Sequence, residues 1–392
     1  MDIQTISAIV FIAVLTIYLI LIRKKLILQK VLFPFIYLIM YRSKWGLNFM
    51  KTFPQKHPRL VKWFGTLGVI VGFLGMVFIS LNLVHAFVEM ITTPDAPPAV
   101  APVLPIPVRG AVYVPFFYWI ISIFVIATVH EFAHGVVANY HKIPIKSSGF
   151  AFFALFLPII PAAFVEPNEG VLKRKSPWKQ LSVFGAGPFS NIVLAFMVLG
   201  IIVVVMNPLS ALAFVNDGVT ITNVFTNSSA ESAGIESGEI ITHLNGVDIF
   251  TVDNFTNQLE NLRPGDSIVL RTNATTYDVI LGERHDDPSA GFLGVGVSQY
   301  TTENQDFLDK YGKFPVEVIK WFSGLFFWLF LLNLGIGLFN LVPLGIVDGG
   351  MMLQIGLLSV FKKNKDLANK IWRTISFGFL FLILFMLVIS FF

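Results

Sequence analysis

Residues 128–137 read TVHEFAHGVV. On a helix, His130 and His134 lie four apart on one face, so both imidazoles can reach a single ion. Glu131 is turned about 100° from His130, within reach of a proton on a water beside that ion. These types suit hydrolysis. Neutral imidazole binds Zn2+ without adding charge, a carboxylate serves as base, and zinc lowers the pKa of water towards about 7. The flanks are apolar. An ionisable side chain in a spanning helix costs about 2.5–3.5 kcal/mol on insertion scales and is a functional candidate by default. Three within five residues call for a metal. The competing reading places them at a helix end, solvated by water.

A catalytic zinc takes three protein ligands and keeps one position open. Among acids flanked by apolar sequence, Asp348 in LFNLVPLGIVDGGMMLQIG qualifies. Pro343, Gly345, Gly349 and Gly350 break the helix there, and irregular backbone at membrane depth is tolerated only where protein or a water-filled cavity receives it. Asp348 is the predicted third ligand; the alternative is an aspartate capping the next helix. Asn191 in GAGPFSNIV and Asn340 just before LVPLGIVDGG are candidates to bond a substrate backbone or an oxyanion. Interhelical hydrogen bonding accounts for such asparagines equally well. Gly185 and Gly187 read as close-packing positions. Residues 148–169 are apolar but carry Pro158, Pro161 and Pro167. They are predicted as a re-entrant loop or short hairpin near the metal, whose edge would suit a substrate that adds as a strand.

Those residues require a membrane scaffold, and the composition supplies one. The 392 residues are 55% hydrophobic and 13% charged, with mean hydropathy +0.73, whereas soluble domains are about 25% charged. With no cysteine, thiolate metal sites, disulfides and thiol nucleophiles are excluded. The net charge of +4 points to basic loops on an anionic leaflet, and no arginine-rich patch suggests nucleic acid as a partner. Six stretches read as spans: 6–22, 66–90, 111–139, 181–206, 316–341 and 371–392. The first lacks a basic start and a following cleavage site, so it is not expected to be a cleaved signal peptide. The apolar run 31–41 is too short to span and reads as interfacial or core-facing. Ten Lys and Arg lie between Arg23 and Lys62, but only Arg109 lies in 91–110. This alternation continues along the chain, placing both termini outside and HEFAH towards the cytoplasmic end of its helix. Residues 207–305 are polar and turn-rich, without lysine, and read as an inserted extracytoplasmic α+β domain. The sequons at Asn227, Asn254 and Asn273 agree with that side. The expected divisions are an N-terminal region 1–110 with two spans, a catalytic membrane core 111–206, the insert 207–305, and a C-terminal membrane core 306–392.

In order, these motifs resemble the site-2 protease family of intramembrane zinc metalloproteases. The resemblance rests on His130-Glu131-Phe132-Ala133-His134, on Gly187-Pro188 with Asn191, on AAFVEPNE, and on Asn340 to Gly349 with Pro343 and Asp348-Gly349. It covers roughly residues 115–360; Val347 departs from the expected Leu before the Asp. It implies Zn2+ on His130, His134 and Asp348, Glu131 as general base, and Asn191 positioning substrate or oxyanion. It also implies a polytopic α-helical protein of the cell membrane with about six transmembrane helices and a PDZ-like insert. The substrate would be a single-span membrane protein entering from the lipid bilayer, with its product released into the cytoplasm. SSAESAGIESGEIITHLNGVDI carries the PDZ likeness, and the insert would restrict access by substrates with bulky outer parts. A transporter would need a polar path across the bilayer, and no second ionisable cluster is found near the outer face. A peptide-binding scaffold would have no need of Glu131.

Overall fold

The computed structural model describes residues 3–32, 36–92, 100–155, 157–260, 262–284, 287 and 289–391. The chain forms two compact units: Met1–Ile202 with Gly324–Phe392, and Val203–Ser323.

In the first unit, α1 (Ile3–Leu21) leads into the strands β1 (Leu26–Leu32) and β2 (Ile36–Ser43). Helices α2 (Leu47–Lys56) and α3 (Pro58–Thr92) follow, then two short parallel strands, β3 (Val103–Leu104) and β4 (Val112–Tyr113). Next come α4 (Phe116–Tyr140), the hairpin β5 (Ile145–Leu155) and β6 (Leu157–Pro167), α5 (Glu169–Lys173) and α6 (Pro177–Ile201). In the second unit, α7 (Asn207–Ala213), β7 (Phe214–Val224), α8 (Ser229–Ser232), β8 (Ile240–Leu244), β9 (Val247–Asp248) and α9 (Val252–Glu260) precede β10 (Ser267–Thr272) and β11 (Thr276–Ile280). Then come β12 (Gly282–Glu283), β13 (Gly291–Phe292), β14 (Val295–Glu303) and α10 (Gln305–Tyr311). Helix α11 (Lys313–Phe339) starts in the second unit and continues into the first, followed by α12 (Asp348–Val360) and α13 (Lys365–Ile389).

Among the described residues, five helices are long and apolar enough to cross a bilayer: α3, α4, the run Pro177–Ala213, α11 and α13; the apolar stretch Ile6–Leu21 is shorter. Packing between them uses small residues. A Cβ on Gly185 of α6 would fall 2.5 Å from the Gly68 carbonyl oxygen of α3, so the two backbones meet almost directly, the usual basis of helix association in lipid. Beside this crossing, Val69, Met76, Leu181, Leu341 and Met352 form one buried cluster. Val61, Val137, Ala138, Ile143, Leu172, Val183 and Ala186 form another, below the end of α4. Helix α4 stops because Lys142 takes φ 56°. Its N–H bonds the Asn139 carbonyl and that of Ile143 bonds Ala138, at 2.9 Å each, a paired closure that satisfies the last carbonyls of the helix.

The N-terminal region adds strands that the sequence reading did not foresee. Within residues 31–41, read as interfacial or core-facing, Ile36 starts Ile36–Ser43, the second strand of an antiparallel sheet ordered β1-β2-β5-β6; residues 33–35 lie outside the described set. The run 148–169 takes the hairpin alternative, with Tyr41 opposite Phe150 and Phe150 opposite Ala163. The prolines of β6 are tolerated because β6 is an edge strand, where a missing N–H need not cost a ladder bond.

The second unit is built on a sheet ordered β11-β10-β8-β7-β14, with β9 on β8. Val219, Ile221, Ile241, Leu244, Ile268 and Leu270 fill its core, closed by Ala230 of α8 and Phe255 of α9.

Candidate metal centre

The side chain of His130 reaches the centre from α4, one turn before that of His134. Their Nε2 atoms stand 3.1 Å apart, with the rings nearly perpendicular at 81°. Phe132, between them in sequence, packs away from the pair. It lies edge-on to Trp45, with centroids 5.1 Å apart, and against Gly46, where a Cβ would fall within its ring. The intervening residues of the motif thus dock α4 onto the turn leading into α2.

Asp348 arrives from the broken segment after α11. Its Oδ2 is 3.0 Å from His130 Nε2 and 3.3 Å from His134 Nε2. The break is held by tight backbone packing. The Asn340 carbonyl accepts the Gly349 N–H at 2.8 Å. A Cβ on Gly349 would fall 2.3 Å from the Leu341 oxygen, and one on Gly350 would collide with the Leu344 carbonyl. From α13, Trp372 Nε1 donates to the Gly350 oxygen at 2.8 Å and Ser376 to the Pro343 oxygen at 3.0 Å. Asp348 occupies the first turn of α12, where the helix dipole favours a carboxylate.

His130, His134 and Asp348 together could hold a metal ion. The donors suit zinc in type, two imidazoles and one carboxylate without sulfur. Their spacing is close to it: ligand atoms about 2.0–2.2 Å from a tetrahedral zinc stand about 3.3–3.6 Å from one another, and the three separations here, 3.0, 3.1 and 3.3 Å, match that or fall a few tenths of an ångström short. His134 is also oriented correctly. Its Nδ1 lies 2.7 Å from the Val183 carbonyl oxygen, so the proton sits on Nδ1 and leaves the Nε2 lone pair free. Carbonyl partners of this kind fix the tautomer of metal-binding histidines.

Three main-chain features complete the site, and none was expected from sequence. Besides the Val183 carbonyl, the Val165 N–H of β6 donates to Glu131 Oε2 at 2.8 Å, which fixes the carboxylate beside the sheet edge. Gly187, read as a close-packing position like Gly185, packs α6 directly against the imidazoles: a Cβ there would be 2.4 Å from His134 Nε2 and 2.6 Å from His130 Nε2. Of the two candidate asparagines, Asn191 is fully buried and its amide touches His130 Nδ1 at 3.2 Å. Asn340 enters through its main chain, as the carbonyl that receives Gly349.

Two imidazoles and a carboxylate that could hold one metal ion, with a second carboxylate beside them, are thus set among apolar helices. The chain belongs to peptidase family M50, whose model matches residues 118–383. An uncharacterized protein of Methanocaldococcus jannaschii is 25% identical over 287 residues, 72% of this chain and 66% of that protein. Zinc metalloprotease RasP of Shouchella clausii is 26% identical over 289 residues, 59% of this chain and 65% of that protein. RasP of Oceanobacillus iheyensis is 26% identical over 58% of this chain and 62% of that protein. The chain therefore spans a little under two thirds of the length of these relatives. A solved PDZ domain of an SdrC-like protein from Listeria monocytogenes covers 23% of this chain and 92% of its own, at 18% identity and TM-score 0.19.

Proposed function

We propose that this chain is an intramembrane zinc metallopeptidase that hydrolyses a peptide bond in or near the transmembrane segment of a membrane-anchored, single-span protein. The observation that carries the reading is the convergence of His130, His134 and Asp348 within bonding distance of one another, with Glu131 held beside them on the edge of a four-stranded sheet. Family membership and the RasP relatives support the same chemistry.

In this reading His130, His134 and Asp348 hold the zinc. When bound, the metal acts as a Lewis acid on the scissile carbonyl and makes hydroxide available near neutral pH. Glu131 takes the proton from the attacking water and hands it to the leaving amine. Edge strand β6 receives the substrate. Main-chain groups alternate direction along a strand, so the Ala163 N–H and C=O point to the same side as the Val165 N–H that reaches Glu131. An unwound substrate segment adding there would lie as an extended chain beside the base. Helix unwinding is required because a helical peptide bond is shielded by its own turn. Asn340 is assigned to the substrate side of the broken segment.

By the charge alternation, the site faces the cytoplasmic half of the cell membrane, the insert and both termini lie outside, and the product leaves into the cytoplasm. The insert acts as a PDZ-like filter on substrate outer parts.

The test is zinc content together with cleavage of a single-span reporter in liposomes, for the native chain and Glu131→Gln. Native cleavage, lost by about 10²-fold or more in the variant while zinc stays bound, is the expected result. Zinc in both with cleavage in neither would overturn the peptidase reading.

A further inference from the structure

Asn191 has an unusual hydrogen-bond balance. Its side chain is fully buried in α6, its Nδ2 faces His130 Nδ1 at 3.2 Å, and its Oδ1 has no partner. An amide oxygen and nitrogen exchange places by a half-turn, and the hydrogen-bond network decides between them. As placed, Nδ2 donates to a bare Nδ1, so the imidazole proton must sit on Nε2, the atom 3.0 Å from Asp348 and 3.1 Å from His134 Nε2. That tautomer has no lone pair for a metal at Nε2.

The reversed amide removes this fault: Oδ1 then accepts the Nδ1–H and frees the Nε2 lone pair, while Nδ2 takes the place where Oδ1 stood. We infer that Asn191 accepts the Nδ1–H of His130 through Oδ1, fixing the tautomer and ring orientation that turn Nε2 towards the metal. Asn191 then does for His130 what the Val183 carbonyl does for His134. It is a positioning residue for the ligand rather than a donor to an oxyanion. Helix α11 packs closely beside this residue, since a Cβ on Gly337 would stand 3.2 Å from the Asn191 Cβ. The inference rests on the zinc reading of the proposed function.

The test is zinc affinity of the full chain in detergent, measured by competition with a chromophoric chelator, for the native chain, Asn191→Asp and Asn191→Leu. Aspartate keeps the acceptor at the same reach; leucine removes it at similar volume. Loss of the acceptor should weaken zinc by about 10–100-fold, whereas Asn191→Asp stays at or above native affinity. Thermal midpoints in EDTA should show whether the metal-free fold is kept. If Asn191→Leu fails to fold, Asn191→Ala makes the same comparison. Native affinity in the leucine or alanine variant would overturn the assignment, as would equal losses in the aspartate and apolar variants. Unchanged affinity with lost cleavage would restore the oxyanion role. Zinc absent from the native chain would overturn the metal reading itself, and that arm is read before any variant.

Discussion

Gly187 is where a single added carbon meets the chemistry most directly. A methyl group there would lie 2.4 Å from His134 Nε2 and 2.6 Å from His130 Nε2, closer than any real contact, and both neighbours are ring atoms held on one helix. In Gly187→Ala at least one imidazole must leave its position. Zinc affinity should fall at least about tenfold, and the metal-free chain should lose about 1–3 kcal/mol, the ordinary cost of overpacking. Chelator competition and thermal unfolding in EDTA measure the two separately, and unchanged zinc affinity would show that the rings do not bind as drawn. His130, Glu131, His134 and Asp348 were legible in the sequence because charge in an apolar run is costly and therefore conspicuous. The Val183 carbonyl and the Val165 N–H were not, since a main-chain partner leaves no trace in residue type. Gly187 was legible only as a close-packing position, for a related reason: glycine reports that something comes close, not what.

Elements differ in the same way. Helix α4 and the Pro343–Gly350 break could be read locally, from an apolar run and from helix breakers. The sheet could not. Strand β2 pairs with β5, Tyr41 opposite Phe150, across more than a hundred residues, and no local period announces such a partner. The pairing of β1 with β2 was hidden further because the apolar run 31–41, too short to span, read only as interfacial or core-facing. Arg42 on β2 reaches Glu166 on β6 at 3.1 Å, and Ser147 on β5 bonds the same carboxylate at 2.7 Å, so the N-terminal hairpin is tied to the strand that holds Glu131. At the end of α4, His141 Nε2 lies 2.7 Å from Ser182 Oγ, whose proton goes to the Lys179 carbonyl. This joins α4 to α6. Burial pushes the His141 imidazole down to about 4 from its ordinary 6.5, helped by Lys179 and Lys175. A depressed value in the folded state means that the unfolded chain binds the proton first. The stability from neutral His141 is then fully present above about pH 6.5 and is lost as the pH falls towards 4. His141→Gln keeps a donor for Ser182 without a titrating group. Its thermal midpoint should fall less steeply than that of the native chain between pH 6.5 and 4; identical slopes would mean that His141 is solvated and titrates normally.

At the scale of the whole molecule, the second unit has the form of an insertion whose ends meet. Phe214 at the start of β7 pairs with Glu303 at the end of β14, and the Asn304 N–H bonds the Ala213 carbonyl at 2.9 Å. Partner residues in an antiparallel pair stand only about 4.5–5.5 Å apart, so a short Gly-Ser linker can replace Phe214–Glu303 without stretching the chain. The sheet has its own buried core, and His130, His134 and Asp348 lie outside the unit; excision therefore removes a self-contained body and spares the centre. If the insert filters substrates by the size of their outer parts, the excised chain should keep native zinc affinity and cleave a reporter with a short outer segment within about tenfold of the native rate. A reporter carrying a folded outer domain, refused by the native chain, should now be cut. Loss of both cleavages with zinc retained would assign the insert to substrate capture instead. Continued refusal of the bulky reporter, with the short one still cut, would remove the filter from the account and leave the selection of substrates to the membrane unit.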